Sequence, residues 1–169
     1  MRDFEDYCWR DLVDDEVRHI YSPYVRNRAV GKRPALLAVH GTPWPESATR
    51  LVEEARKRKI PVVHSANTLA IAARPDEPVC PRPCESAFFS TDLERTLTRL
   101  GAGALIVCGG PTSGAVRASA VEGKSFGYKV AMAEEAVGDQ TAFLHKMALF
   151  DMAHKYADLM SLEELLAQL

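Results

Sequence analysis

The residues of this chain whose types could carry chemistry are its five histidines, its four cysteines and a glycine-rich turn. Cys80-Pro81-Arg82-Pro83-Cys84 is the one close cysteine pair, and no second arm repeats it as a zinc set would require. It reads as two unpaired thiols in a rigid loop, with a metal or redox pair as the alternative. Cys108 ends the apolar run Ala104 to Cys108, where a cysteine behaves as a small hydrophobe. The turn Gly109-Gly110-Pro111-Thr112-Ser113-Gly114 that follows matches neither a phosphate-binding loop nor a dinucleotide fingerprint. Thr112 and Ser113 at its end read as helix caps rather than nucleophiles. His40 closes another apolar run, Pro34 to His40, so a satisfied structural histidine and a ligand contact at a strand end both stay open for it. His64 follows the same pattern and reads as structural, while His145 and His154 fall on a late helix and read as surface or packing groups.

Positioning these groups takes a scaffold, and the apolar periodicity describes one. Pro34 to His40 reads as a strand buried on both faces. Glu46 to Lys59 carries Leu51, Val52 and Ala55 on one helical face, and Pro61 to Ser65 is a second buried strand. A proline-rich loop covers 66–85. Then come a helix to Leu100, a strand Ala104 to Cys108, a helix from about Ser113 to Phe126 and a strand Lys129 to Ala133. A helix Thr141 to Tyr156, a short strand Asp158 to Met160 and a helix Leu162 to Leu169 complete the chain. This alternation predicts a three-layer α-β-α fold of the α/β class with a mainly parallel sheet. In such sheets ligands bind beyond the carboxyl ends of the strands, where the strand order reverses. His40, the loop around Arg82 and the turn Gly109 to Ala115 should meet there, the turn offering unpaired backbone N–H groups to an anion. Residues 1–30 stand apart as a helical arm, and 31–169 form the α/β domain.

The composition narrows the classes of function. The chain has 169 residues, and its 21 Lys and Arg nearly balance 23 Asp and Glu, with a net charge of -2. Positive charge concentrates only at Arg56 to Lys59, so nucleic acid is not an expected partner. The longest apolar stretches, Ala35 to Val39 and Ala102 to Val107, fall far below the ~20 residues that span a bilayer. The polar start Met1-Arg2-Asp3-Phe4-Glu5 does not read as a signal peptide, and with free thiols this sets the expectation of a cytoplasmic protein without membrane association.

Several segments resemble, in order, those of the isochorismatase-like cysteine hydrolases, most closely the N-carbamoylsarcosine and maleamate amidohydrolases. They are Val30-Gly31-Lys32-Arg33-Pro34-Ala35-Leu36-Leu37, Ser86-Ala87-Phe88-Phe89-Ser90-Thr91-Asp92-Leu93 and Thr112-Ser113-Gly114-Ala115-Val116-Arg117-Ala118-Ser119. Gly127-Tyr128-Lys129-Val130 with Ala136-Val137-Gly138-Asp139, and His145 with Leu149-Phe150-Asp151 and Lys155-Tyr156-Ala157-Asp158, add to them. The resemblance implies hydrolysis of small amides by an Asp, Lys and Cys triad. It places the aspartate at position 40, the lysine at 82 and the cysteine at 115, where this chain has His40, Arg82 and Ala115.

A methyl group at 115 can neither attack a carbonyl nor form a thioester. Arg82 keeps the positive charge but stays protonated and suits a bidentate carboxylate contact. The resemblance also implies a cis peptide before position 111, whose N–H helps to form an oxyanion hole; Pro111 admits the cis bond and removes the donor. Such a loss costs roughly 100- to 1000-fold in rate. Only Gly41 to Pro45 separates the first strand from its helix, where relatives have a longer segment, so part of the pocket wall is missing.

These substitutions predict a catalytically inactive pseudoenzyme, a structural or regulatory subunit that associates with itself or with an isochorismatase-like paralogue. The arm aromatics Tyr7, Trp9, Tyr21 and Tyr24 are candidates for the subunit contact, with packing on their own domain as the other reading. The alternative function is an enzyme of altered chemistry, a hydrolase or lyase using His40 as general acid or base and Arg82 to orient a carboxylate. A small carboxylate or amide would then meet His40, Arg82, Pro111, Thr112 and Ala115. No cofactor and no metal is expected. Trp44, Phe88 and Phe89 are the side chains that could fill the crevice.

Overall fold

The computed structural model describes residues 6–21 and 28–169. In chain order its elements are helix α1 (Asp15–Tyr21), strand β1 (Pro34–Val39), helix α2 (Glu46–Lys57), strands β2 (Val62–Ser65) and β3 (Val79–Cys80) and helix α3 (Leu93–Arg99). Strand β4 (Ala104–Gly109), helix α4 (Arg117–Ser125), strand β5 (Lys129–Ala133), helix α5 (Ala142–Lys155), strand β6 (Asp158–Met160) and helix α6 (Leu162–Leu166) follow. The strands form one parallel sheet in the order β3-β2-β1-β4-β5-β6. The order reverses between β1 and β4, the place where a ligand crevice opens in such sheets.

The continuous apolar strands follow from cover on both faces. Leu37 and Val39 of β1, Leu105 and Val107 of β4, and Met132 of β5 pack in one layer with α3, α4 and α5. The alternate residues Leu36, Ala38, Ile106, Cys108 and Ala131 pack in the other, with α2 and α6. A period of two thus divides each strand between two cores, and the expected three-layer α/β fold is the one found.

Two local expectations need correction. The segment read as loop contains β3, whose pairing is confined to His64 with Val79 and Ser65 with Cys80. Two residues carry no detectable periodicity. The helix expected from Ser113 begins instead as a wide, irregular turn over Thr112–Val116, because Gly114 leaves helical backbone (φ -101°, ψ -106°) before α4 starts.

The arm packs on its own chain. Tyr7 and Trp9 stack with ring centroids 4.3 Å apart, and both are buried in the core beside Leu149, Met152 and Leu159. Tyr21 meets Phe150 and His154 edge-on, and Asp11 pairs with Lys146 at 2.6 Å. Tyr7 and Trp9 are therefore closed to a neighbouring subunit, and Tyr24 lies outside the described residues. Trp9→Ala, which empties one of the largest fully buried side-chain volumes, is expected to cost about 3 kcal/mol or more of stability, measured as a lowered urea midpoint. An unchanged midpoint would show that the arm is not part of the core.

Candidate functional site at the strand-end crevice

The three segments expected to converge do so. Arg82 donates from Nη1 to the Ser65 carbonyl (2.6 Å) and from Nη2 to the His40 carbonyl (2.7 Å), tying its loop to the ends of β2 and β1. Gly41, just past β1, lies so close to the turn after β4 that a Cβ there would stand 2.2 Å from the Gly110 carbonyl oxygen. Glu85 reaches the same turn, its Oε2 being 3.3 Å from where a Cβ on Gly114 would sit. The Gly110-Pro111 peptide is cis.

His40 heads a buried relay. The Ala70 N–H donates to its Nδ1 (2.9 Å), its Nε2 meets His64 Nδ1 (2.8 Å), and His64 Nε2 meets Glu77 Oε2 (2.9 Å). Arg56 closes the line with two bonds to the Glu77 carboxylate, at 2.7 and 2.8 Å. The ends fix every proton between them. An amide only donates and a carboxylate only accepts, so His40 carries its hydrogen on Nε2, gives it to His64 Nδ1, and His64 gives its own to Glu77. Both rings are neutral, and an added proton would set two N–H groups against each other.

The electrostatics agree with the geometry. Burial, with His64 and the Arg82 cation nearby, pushes the His40 imidazole down to about 4. Burial works against the Glu77 carboxylate, but hydrogen bonds from Arg56, the Arg74 amide and His64 prevail and hold it at about 2. Burial also lowers Arg82, which nonetheless remains a cation.

Position 115 faces elsewhere. His64 is the register partner of Ala38, on the α2 side of the sheet, and the His40 ring joins it there. Ala115 is fully buried in the opposite layer with Val107, Val116 and Ala120. The cysteines do not take its place. Cys108 is fully enclosed on the α2 side, where burial pushes its thiol up to about 12. Cys80 is buried in β3, its thiol likewise raised by burial, and Cys84 is exposed in the loop after it.

Most of the N–H groups expected to be unpaired at the turn are engaged. Thr112 N–H donates to the Gly138 carbonyl (2.8 Å), Ser113 N–H to Asp139 Oδ2 (2.7 Å), and Gly114 and Val116 N–H to the Pro111 carbonyl (3.3 and 3.1 Å). A carboxylate of the chain itself occupies the positive end of this turn. Thr112 is fully buried, and its hydroxyl pairs with His145 Nδ1 at 2.9 Å. His145 is thus a partner of the turn rather than a surface group, and its imidazole is pushed down by burial against the pull of Asp139. Among the candidate fillers, Trp44 stacks on His40 with centroids 4.5 Å apart and bonds to Thr49 Oγ1. Phe88 packs instead against Phe126, and Phe89 is exposed. Nothing in the sequence pattern marks Glu77, Arg56 and Asp139 as partners of these groups. Among the described residues no three His, Cys, Asp or Glu side chains converge as a metal set, and no helix is long and apolar enough to cross a membrane.

The isochorismatase domain matches residues 68–164, more than half of the chain. The chain belongs to the isochorismatase family. The maleamate amidohydrolase of Pseudomonas putida is 35% identical over 100 residues, which are 59% of this chain and 47% of that protein. The match thus spans about half the length of this relative. Among solved structures, a cysteine hydrolase from Pseudomonas syringae superposes with a TM-score of 0.75 at 15% identity, covering 85% of this chain and 97% of the other. An isochorismatase from Pseudomonas putida gives 0.72 at 21%, covering 90% and 100%. These two likenesses establish the fold.

The relay makes stability depend on pH in a stated direction. Unfolded, His40 takes a proton near its ordinary 6.5, whereas folded it resists one down to about 4. The unfolded state therefore binds more protons between these values. The contribution is fully present above pH 6.5 and is lost as pH falls through about 4, amounting to about 3 kcal/mol. Urea unfolding is expected to show a clear drop in stability from pH 7 to pH 5 that His40→Asn reduces. Equal slopes for the two proteins would remove His40 from the linkage.

Proposed function

We propose that this chain is a non-catalytic member of the isochorismatase family that works by association, as a structural or regulatory subunit beside itself or beside a relative that keeps the cysteine. The observation that carries the reading is the state of the former triad positions taken together. Ala115 offers a buried methyl group where acyl transfer needs a thiolate. His40 has both ring nitrogens engaged and lies across the sheet from it. Arg82 directs two of its N–H groups into the carbonyls of its own strand ends. Pro111 has no N–H to offer an oxyanion, and the Ser113 N–H of the same turn is engaged by Asp139.

Association draws support from the surface. Phe143, Leu144 and Met147 stand exposed close together on α5, a helix whose opposite side, with Ala148, Leu149 and Met152, is already in the core. A helix apolar on both sides is one that gains from being covered on both. The altered-chemistry reading would require His40 to surrender a hydrogen bond at one nitrogen before it could take a proton from a substrate. The crevice as folded also gives a small carboxylate or amide few unengaged donors. The protein is expected to act without a cofactor, in the cytoplasm.

The purified chain should release no ammonia from maleamate or from a panel of small amides and ureido acids. Ala115→Cys alone should not restore release, since the thiol would find no base beside it. Turnover by the natural chain that His40→Ala or Arg82→Ala abolishes would overturn the inactive reading in favour of the altered enzyme. On co-expression with a cysteine-bearing relative, native mass measurement should find a homo- or hetero-oligomer. A chain that stays monomeric alone and in every such pairing would overturn the subunit role.

A further inference from the structure

A cavity of about 340 Å³ opens at the far side of the relay, between the end of α2, the start of β2, the 74–78 turn and Leu100. It belongs to neither the crevice nor the α5 face. Its floor is the Arg56-Glu77 pair, rigid because Arg56 also bonds to Glu53 and to the Ala72 carbonyl. Its wall is apolar, formed by Ile60, Pro78 and the part-exposed Leu100.

The rim carries opposite charges that the fold does not use. Arg56 to Lys59 is the one basic run of the sequence. Arg56 is taken by Glu77 and Glu53, and Lys57 and Arg58 both pair with Glu54. Lys59 has no ion-pair or hydrogen-bonding side-chain partner among the described residues, and neither has Asp76. Both line the cavity. Arg74 joins them with a long contact of 3.7 Å to Glu53 and about half its side chain exposed. Lys59 also sits where a glycine is the usual residue. It follows the C-cap of α2 with φ 58°, a left-handed backbone that a lysine adopts at a cost. Chain geometry therefore gives no reason for a side chain there, and a charge at the rim gives one.

Unpaired cation and anion on the rim of one apolar-walled hollow fit a small zwitterion with an apolar body. We propose that this cavity binds a free α-amino acid with a branched or aromatic side chain, its carboxylate on Lys59 and Arg74, its ammonium on Asp76 and its side chain against Ile60, Pro78 and Leu100. Selectivity follows from the two charges. Lys59 and Asp76 are exposed, so a ligand lacking either charge forgoes one ion pair, whereas a polar side chain meets a wall with nothing to bond to.

The test is titration of the full chain with L-leucine and L-phenylalanine, followed by amide NMR shifts at Ile60, Asp76 and Leu100. Isocaproate (carboxylate only) and isoamylamine (amine only) serve as matched controls. One of the two amino acids should saturate below about 10 mM, and each control should bind about tenfold more weakly. Lys59→Gly, which relaxes the backbone and removes the charge, should leave leucine no better than isoamylamine. Asp76→Asn should leave it no better than isocaproate. Absence of saturable binding by both amino acids, equal binding of isocaproate and leucine to the natural chain, or leucine binding indifferent to both substitutions would each overturn the proposal. The comparison of ligands on the unaltered protein stands even if a variant fails to fold.

Discussion

A single line of hydrogen bonds governs the strand-end region, running from the Ala70 amide through His40 and His64 to the Glu77 carboxylate under Arg56. Its logic is that of buried polar groups, which are costly unpaired and specific when paired. A donor-only amide at one end and an acceptor-only carboxylate at the other leave one arrangement of protons. Both imidazoles must therefore be neutral, and neither has a lone pair to lend. The line also fixes distant parts of the chain to each other: the proline-rich loop through Ala70 and Glu77, α2 through Arg56, and β1 and β2 through the two histidines.

The short connection after β1 fits the same state. Gly41, Pro43 and Trp44 lie directly on the turn after β4, with backbone atoms so near that a Cβ on Gly110 would stand 2.2 Å from the Pro43 carbonyl oxygen. Trp44 then covers His40 by stacking. A longer segment at this place would have room to stand off as a pocket wall; five residues do not. Gly41, Pro43 and Trp44 thus pack into the space between β1 and β4, where an open parallel sheet offers its ligand site.

The segments by which the chain resembles its family have a structural role of their own. Ala87 N–H donates to Ser119 Oγ at 3.0 Å, joining the Ser-Ala-Phe segment to α4. Ser113 N–H reaches Asp139, and Arg117 pairs with Asp151 on α5 at 2.7 Å. Ser119 Oγ in turn donates to the Ala115 carbonyl at 2.7 Å, so the backbone at position 115 is held. These bonds join the segments into one frame, and a frame of this kind does not by itself fix the chemistry it carries.

Sequence alone determined the layered α/β fold, because strands covered on both faces must be apolar throughout and helices covered on one face must be amphipathic. It also determined the identity of positions 40, 82 and 115, since a methyl group lacks a nucleophilic lone pair in any fold. Tertiary structure decided what the polar residues are for. Nothing in the pattern around Glu77, in a proline-rich loop, relates it to His64 or to Arg56 on another element. Only folding places them within hydrogen-bond distance. The same holds for Asp139, which fills the turn expected to welcome an anion, and for Tyr7 and Trp9, whose burial in their own core reflects the arm's path. Periodicity records which side of an element is covered, whereas the partner of a hydrogen bond depends on a direction and a distance of a few ångströms that no local pattern encodes.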